Sequence, residues 1–260
     1  MHRTRSPFRR RAAWMFAGFA AALASACIGG APTGPAATHH PGHPVLFIGN
    51  SLTDANDMPG MVAQLGAQAG DSIDAWYLAL PDYALIDHYT SGSAIVTIQS
   101  YLWEYVVLQQ GPSTLPVSRD TLVLATRLLD PYIKAVGAKT ALFMVWPDVT
   151  RAAYFDDCRD SYRAAAQAVG GVFMPAGEAW RALWATDPAA GLYGADGYHP
   201  SQMGSFVAAM EIFERITGKD VRDLSVAQLR ASGLPGDASD ELARHAQAAV
   251  HTANVTYPAR

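Results

Sequence analysis

Ser51 stands directly after the short apolar run Val45–Gly49, in the stretch Gly49-Asn50-Ser51-Leu52-Thr53. A hydroxyl held at a strand-to-helix junction, with backbone N–H groups facing outward beside it, is placed as a nucleophile needs to be. Serine is a weak nucleophile until a base removes its proton. The chain offers an imidazole for that work in Asp196-Gly197-Tyr198-His199-Pro200, where a carboxylate precedes the ring by three positions. Across a tight turn containing Gly197, Asp196 can reach the far ring nitrogen of His199, fix its tautomer and stabilise the imidazolium that forms. Each motif alone has a plainer reading. Ser51 or Thr53 can cap a helix, and Asp-Gly followed by Pro is ordinary turn chemistry. Their joint placement gives the pair its weight: one follows the first strand, the other precedes the last long helix.

Those residues need a scaffold, and the hydrophobic pattern supplies one. Val45–Gly49, Ile73–Ala79, Glu104–Gln109, Thr140–Trp146 and Gly171–Met174 read as short, apolar strands. Between them run helical patterns over Met58–Ala69, Ser118–Val136, Arg151–Val169 and Gly177–Ala185, and Ser201–Thr217 forms a last long helix. Continuous apolar strands alternating with amphipathic helices predict an α/β fold with a parallel sheet covered on both faces. In such sheets ligands bind beyond the carboxyl ends of the strands. Ser51, the Leu80-Pro81-Asp82-Tyr83 loop, the Gln109-Gln110-Gly111-Pro112-Ser113 loop and the Asp196–His199 turn are all expected on that rim. Trp146 and Asp148 follow the fourth strand there, as a candidate aromatic platform and polar partner for a sugar ring. Trp180 and Trp184, four apart on a helix, read as core, and His88 reads as structural.

Composition narrows the class. Half of the residues are hydrophobic and 16% are charged, which excludes disordered, collagen-like and coiled-coil chains. Five of the 19 basic residues fall within the first eleven positions, and no acidic residue appears before Asp54, so the body of the chain is strongly acidic. Phosphate backbones would be repelled, and nucleic acid is not an expected partner.

The basic head MHRTRSPFRRR leads into the apolar AAWMFAGFAAALASA and then Cys27. That order marks residues 1–26 as a signal peptide, and Leu23-Ala24-Ser25-Ala26-Cys27 fits a lipoprotein signal with Cys27 lipidated. Ordinary cleavage nearby and an uncleaved anchor are the alternatives; the apolar run of about fifteen residues is short for a span. The expectation is an exported protein, at the periplasm or outer surface, touching membrane only through Cys27. Residues 27–43, rich in Gly, Pro and Ala, read as a tether, and its His39, His40 and His43 as an unsupported cluster rather than a metal site. Residues 44–260 form a single domain, of which 225–260 is a helical tail with no evident chemistry. Cys158, the one other cysteine, reads as an inert thiol without a disulfide partner.

The stretch Val45–Thr53 resembles the first block of the SGNH hydrolase superfamily, also called GDSL esterases, and Asp196–Ser201 resembles its last block. The similarity runs from about residue 44 to 217, with Val106–Ser113 in the place of the third block and Met174–Trp180 similar to the passage before the closing block. The resemblance implies a flavodoxin-like three-layer α/β/α sandwich with a five-stranded parallel sheet, no metal or other cofactor, and ester hydrolysis through an acyl-serine intermediate. Ser51, Asp196 and His199 match nucleophile, orienter and base. The family's usual Gly in the second block and Asn in the third are missing. The oxyanion hole is then expected from the N–H groups of Ser51 and Asp82, with a side-chain donor from Gln110, then Gln109, then Ser113. The expected substrate is an acyl or acetyl ester on a carbohydrate or small molecule. A degenerate glycan-binding lipoprotein and an acyltransferase using the same serine are the rival readings.

Overall fold

The computed structural model describes residues 42–259. The signal segment, Cys27, His39 and His40 lie outside the described residues. Five parallel strands, β1 (His43–Gly49), β2 (Ile73–Ala79), β3 (Tyr105–Leu108), β4 (Lys139–Phe143) and β5 (Val172–Met174), form one sheet in the order β2-β1-β3-β4-β5. This is the expected doubly wound α/β sandwich, and its strand order reverses at β1 and β3, the place where such sheets hold ligands. Val45 to Ile48 and Tyr105 to Leu108 are buried on both faces, which is why these strands are apolar at every position instead of alternating.

The helices are α1 (Ser51–Asp54), α2 (Met58–Gln68), α3 (Leu85–Thr90), α4 (Ser93–Gln99), α5 (Pro116–Ala135), α6 (Phe155–Val169), α7 (Ala176–Thr186), α8 (Gln202–Thr217), α9 (Val226–Ala231) and α10 (Asp240–Thr256). One layer packs α3, α4, α5 and α6 together; the other packs α2, α8, α7 and α10. The tail is therefore structural: α10 lies against α7 and α8, and the Ala259 carbonyl accepts from Phe173 N–H at the edge of β5. Among the described residues no helix is long and apolar enough to cross a membrane.

Three expectations change. His43 belongs to the sheet, not to a tether: it pairs with Ile73, and its Nδ1 lies 2.6 Å from Glu104 Oε2. β4 ends at Phe143 because β5 ends at Met174, leaving Met144–Trp146 only one further sheet bond, from Met144 N–H to the Met174 carbonyl. The helix expected from Arg151 starts at Phe155, after a 3₁₀ stretch over Val149–Tyr154.

Candidate active site

The β1 chain leaves the sheet through Asn50, extended at φ −130° and ψ −158°, whose side chain accepts the Leu52 N–H and so caps α1. Ser51 is the first residue of that turn. Its N–H has no acceptor within the helix, and none elsewhere among the described residues. On the far side, Asp196–Pro200 forms a loop tied at both ends: Gly194 N–H donates to the His199 carbonyl at 2.7 Å, and Val149 N–H to the Gly197 carbonyl at 2.9 Å. Gly197 takes φ +69°, with Val149 packed where a side chain would stand, so the turn needs glycine.

The loop carries His199 to Ser51. His199 Nε2 lies 2.9 Å from Ser51 Oγ, and His199 Nδ1 lies 2.6 Å from Asp196 Oδ2. The other carboxylate oxygen, Asp196 Oδ1, accepts the backbone N–H groups of Tyr198 at 3.0 Å and His199 at 2.9 Å. The imidazole contact, followed by these two N–H groups, lowers the Asp196 pKa to about 2. Asp196 is thus a fixed anion that holds Nδ1 protonated and leaves Nε2 to accept from the serine. The structure brings together the three residues that the sequence singled out.

The expected side-chain donors are placed differently. Gln109 Nε2 donates to Asn50 Oδ1 at 3.0 Å and to the Gln110 carbonyl at 2.5 Å, while its Oε1 accepts from Asn50 N–H and Thr53 Oγ. Gln110 Nε2 donates to Ser113 Oγ and the Ser118 carbonyl, and its Oε1 accepts from Leu85 N–H. Ser113 Oγ in turn donates to the Gly111 carbonyl. All three side chains are buried and their protons are spent, so none is free for an oxyanion. Gln109 instead braces the exit of β1. A side chain at Gly49 would collide with its amide oxygen and with Thr53.

Trp146 is corrected as well. It is fully buried, stacked on Trp180 with ring centroids 3.6 Å apart, and cannot serve as a sugar platform. Its Nε1 donates to the Tyr198 carbonyl at 3.1 Å and so anchors the histidine loop. Asp148 remains on the rim, where its Oδ1 accepts from Thr150 N–H and Oγ, and these bonds lower its pKa. Asp82 is exposed and takes φ +62°, the left-handed region that glycine favours, at the loop where the family that the sequence resembles carries glycine. Trp180 is core and Trp184 packs against it, as expected.

His88 is structural. It is buried, its Nε2 donates to the Gly49 carbonyl at 2.7 Å, and desolvation lowers its pKa, so it is a neutral brace on the β1 exit. Cys158 is buried with its thiol on the Val145 carbonyl, and burial raises its pKa, which leaves it inert.

Two supports are invisible in the sequence pattern. Asn56 adopts φ +58° and its Nδ2 donates to the Pro200 carbonyl at 3.1 Å and to Ser205 Oγ at 2.9 Å, stitching the nucleophile segment to the histidine segment. Tyr162, buried in α6, donates to the Gln110 carbonyl at 2.5 Å and accepts from Gln110 N–H at 3.1 Å. The tolerance of asparagine for left-handed backbone is the only sequence signal for the first; a tyrosine on the buried stripe of an amphipathic helix is the only one for the second.

Among the described residues one cluster, Glu214, Asp220 and His251, has the spacing to hold a cation. It sits toward the far end of α8, about 18 Å along the helix from its start, and its carboxylates are engaged by Val221 N–H and Arg222. It belongs to no step at Ser51.

No family model matches the chain, and no curated protein matches it. Solved structures do. A DUF4886 family protein from Bacteroides uniformis superposes with a TM-score of 0.71 at 19% identity, over 84% of this chain and 96% of that one. An SGNH-hydrolase candidate from Slackia heliotrinireducens gives 0.57 at 26% identity, over 67% and 98%. A variant of an acetyl xylan esterase from Geobacillus stearothermophilus gives 0.54 at 17% identity, over 68% and 95%. The chain shares its fold with SGNH hydrolases, and with first and last blocks that resemble theirs it is similar to a divergent member of the SGNH/GDSL hydrolases.

Proposed function

We propose that the protein is an exported serine esterase. The observation that carries this reading is the relay of His199 between Ser51 Oγ at 2.9 Å and Asp196 at 2.6 Å. In it, Ser51 Oγ adds to the ester carbonyl carbon as its proton passes to His199 Nε2. The carbonyl oxygen becomes an oxyanion, met by the free N–H of Ser51 and by the Asp82 N–H. Collapse expels the alcohol, which takes the proton from His199, and leaves an acyl-serine. Water, deprotonated by the same nitrogen, releases the acid and restores the serine.

The substrate is read as a short acyl ester, acetyl foremost, on a carbohydrate. This draws on the signal-like head and on the acetyl xylan esterase among the neighbours. With Trp146 in the core, no aromatic platform adds to it. Asp82, Asp148 and Asp196 give the rim negative charge, which favours neutral over anionic esters. Hydrolysis of an aryl acetate by the parent and by Ser51→Ala tests the assignment. A loss of roughly 10³-fold or more with an unchanged melting curve supports it, and undiminished turnover in the variant removes it.

A further inference from the structure

We propose that the Tyr198 hydroxyl is the side-chain donor of the oxyanion hole, in place of the carboxamides that the loop after β3 keeps for itself. The proposal rests on Ser51 being the nucleophile.

Position is the first argument. In the order β2-β1-β3, Ser51 leaves the middle strand, the Asp82 loop leaves one neighbour and the Gly111 loop leaves the other. Tyr198 Oη lies 3.7 Å from where a Cβ on Gly111 would stand, and the charge of Asp82 acts on the same hydroxyl. The hydroxyl thus stands against the loop that leaves one neighbour of β1, with the carboxylate on the other neighbour's loop near enough to act on it electrostatically. The ring also stands edge-on to His199, with centroids 5.3 Å apart and planes at 76°, beside the imidazole that contacts Ser51 Oγ.

Availability is the second. The backbone of Tyr198 is held at both ends, N–H on Asp196 and carbonyl under Trp146 Nε1, so the ring is aimed rather than free. Among the described residues its hydroxyl has no hydrogen-bond partner, whereas Gln109, Gln110 and Ser113 have spent every side-chain proton. Gly111 leaves the space in front of the hydroxyl open.

Chemistry is the third. Burial raises the Tyr198 pKa, and the nearby carboxylates of Asp82, Asp148 and Asp196 raise it further. The hydroxyl therefore keeps its proton and donates. A donor that meets charge only as it develops on the carbonyl oxygen stabilises the transition state more than the bound ester. This also accounts for a third block without its usual asparagine: the turn that supplies the base supplies the donor too.

The test is Tyr198→Phe in the full chain, which keeps the ring against His199 and removes only the O–H. With an aryl acetate, kcat is expected to fall about 10²-fold with KM within a factor of two. Phenylboronic acid forms a tetrahedral adduct on Ser51, and its inhibition constant should rise by a similar factor while the melting curve stays put. Unchanged kcat and boronate affinity, or a change in KM alone, overturns the proposal. So does a kcat loss that comes with a lowered melting temperature and unchanged boronate affinity, since that marks a structural role. Fluorophosphonate labelling of the parent at Ser51 separates the two readings: a parent that neither labels nor turns over overturns the esterase reading and this one with it, while a labelled, active parent with an unaffected Phe variant overturns this one alone.

Discussion

At the residue scale the account turns on three side chains with unequal duties. In the proposed reaction His199 exchanges the proton, so His199→Ala should cost roughly 10³-fold or more in kcat/KM. Asp196 only aims and stabilises the ring, so Asp196→Asn should cost less; equal activity of Asp196→Asn and the parent on an aryl acetate would reduce Asp196 to a turn residue. Its pKa of about 2 fixes the pH dependence. A carboxyl lowered from 3.8 is ionised in folded and unfolded chains alike above about pH 5, and its stabilising contacts are lost only as pH falls toward 2. Activity between pH 5 and 8 should therefore show no inflection due to Asp196. These three positions were legible because each motif couples a reactive type to a turn at a fixed spacing. The Gln109, Gln110 and Trp146 roles were not. Spacing places a residue near a rim but does not say whether its polar atoms face the rim or the protein, and here backbone groups claimed them first.

At the scale of elements, the exit of β1 is the feature that decides whether Ser51 is presented. Gln109, on the neighbouring β3 exit, holds Asn50 N–H, Asn50 Oδ1 and Thr53 Oγ, and His88 from α3 holds the Gly49 carbonyl. Gln109→Ala leaves the buried Asn50 N–H and Thr53 hydroxyl without partners, at a cost of about 1–3 kcal/mol. Urea unfolding should show that loss, and kcat should fall with it because the serine loses its fixed position; an unchanged midpoint would show that the brace is dispensable. The five strands were readable from apolar runs, and the long helices from their periodicity. The six-residue α3 and seven-residue α4 were not, because so short a helix carries less than two turns of pattern and is shaped by what it packs against.

At the scale of the whole molecule, the core beneath α8 holds one ionisable group that the chemistry does not use. Glu211 is fully buried, and Arg215 Nε stands 3.6 Å away while its Nη2 is turned to the Tyr257 carbonyl. Desolvation raises the Glu211 pKa to about 8; Arg215 opposes the rise and Glu214 adds to it. Between about 4.5 and 8 the folded chain holds a proton on Glu211 that the unfolded chain has released, so this group makes stability fall as pH rises through that window. Glu211→Gln should flatten the decline, measured as urea midpoints at several pH values; a parallel decline in the variant would assign the slope to other groups. The sheet and its two helical layers followed from the alternation of apolar strands with amphipathic helices. The packing of α10 over α7 and α8 did not, because an alanine-rich stripe has no chemistry to announce which surface it covers.

The central claim is that Ser51 is activated by His199, and a fluorophosphonate reads that state directly because only an activated serine displaces its fluoride. Peptide mass analysis of the labelled chain should place one adduct on Ser51 in the parent and none in Ser51→Ala or His199→Ala. A parent that stays unlabelled at Ser51, or an adduct that persists undiminished in His199→Ala, would contradict the account.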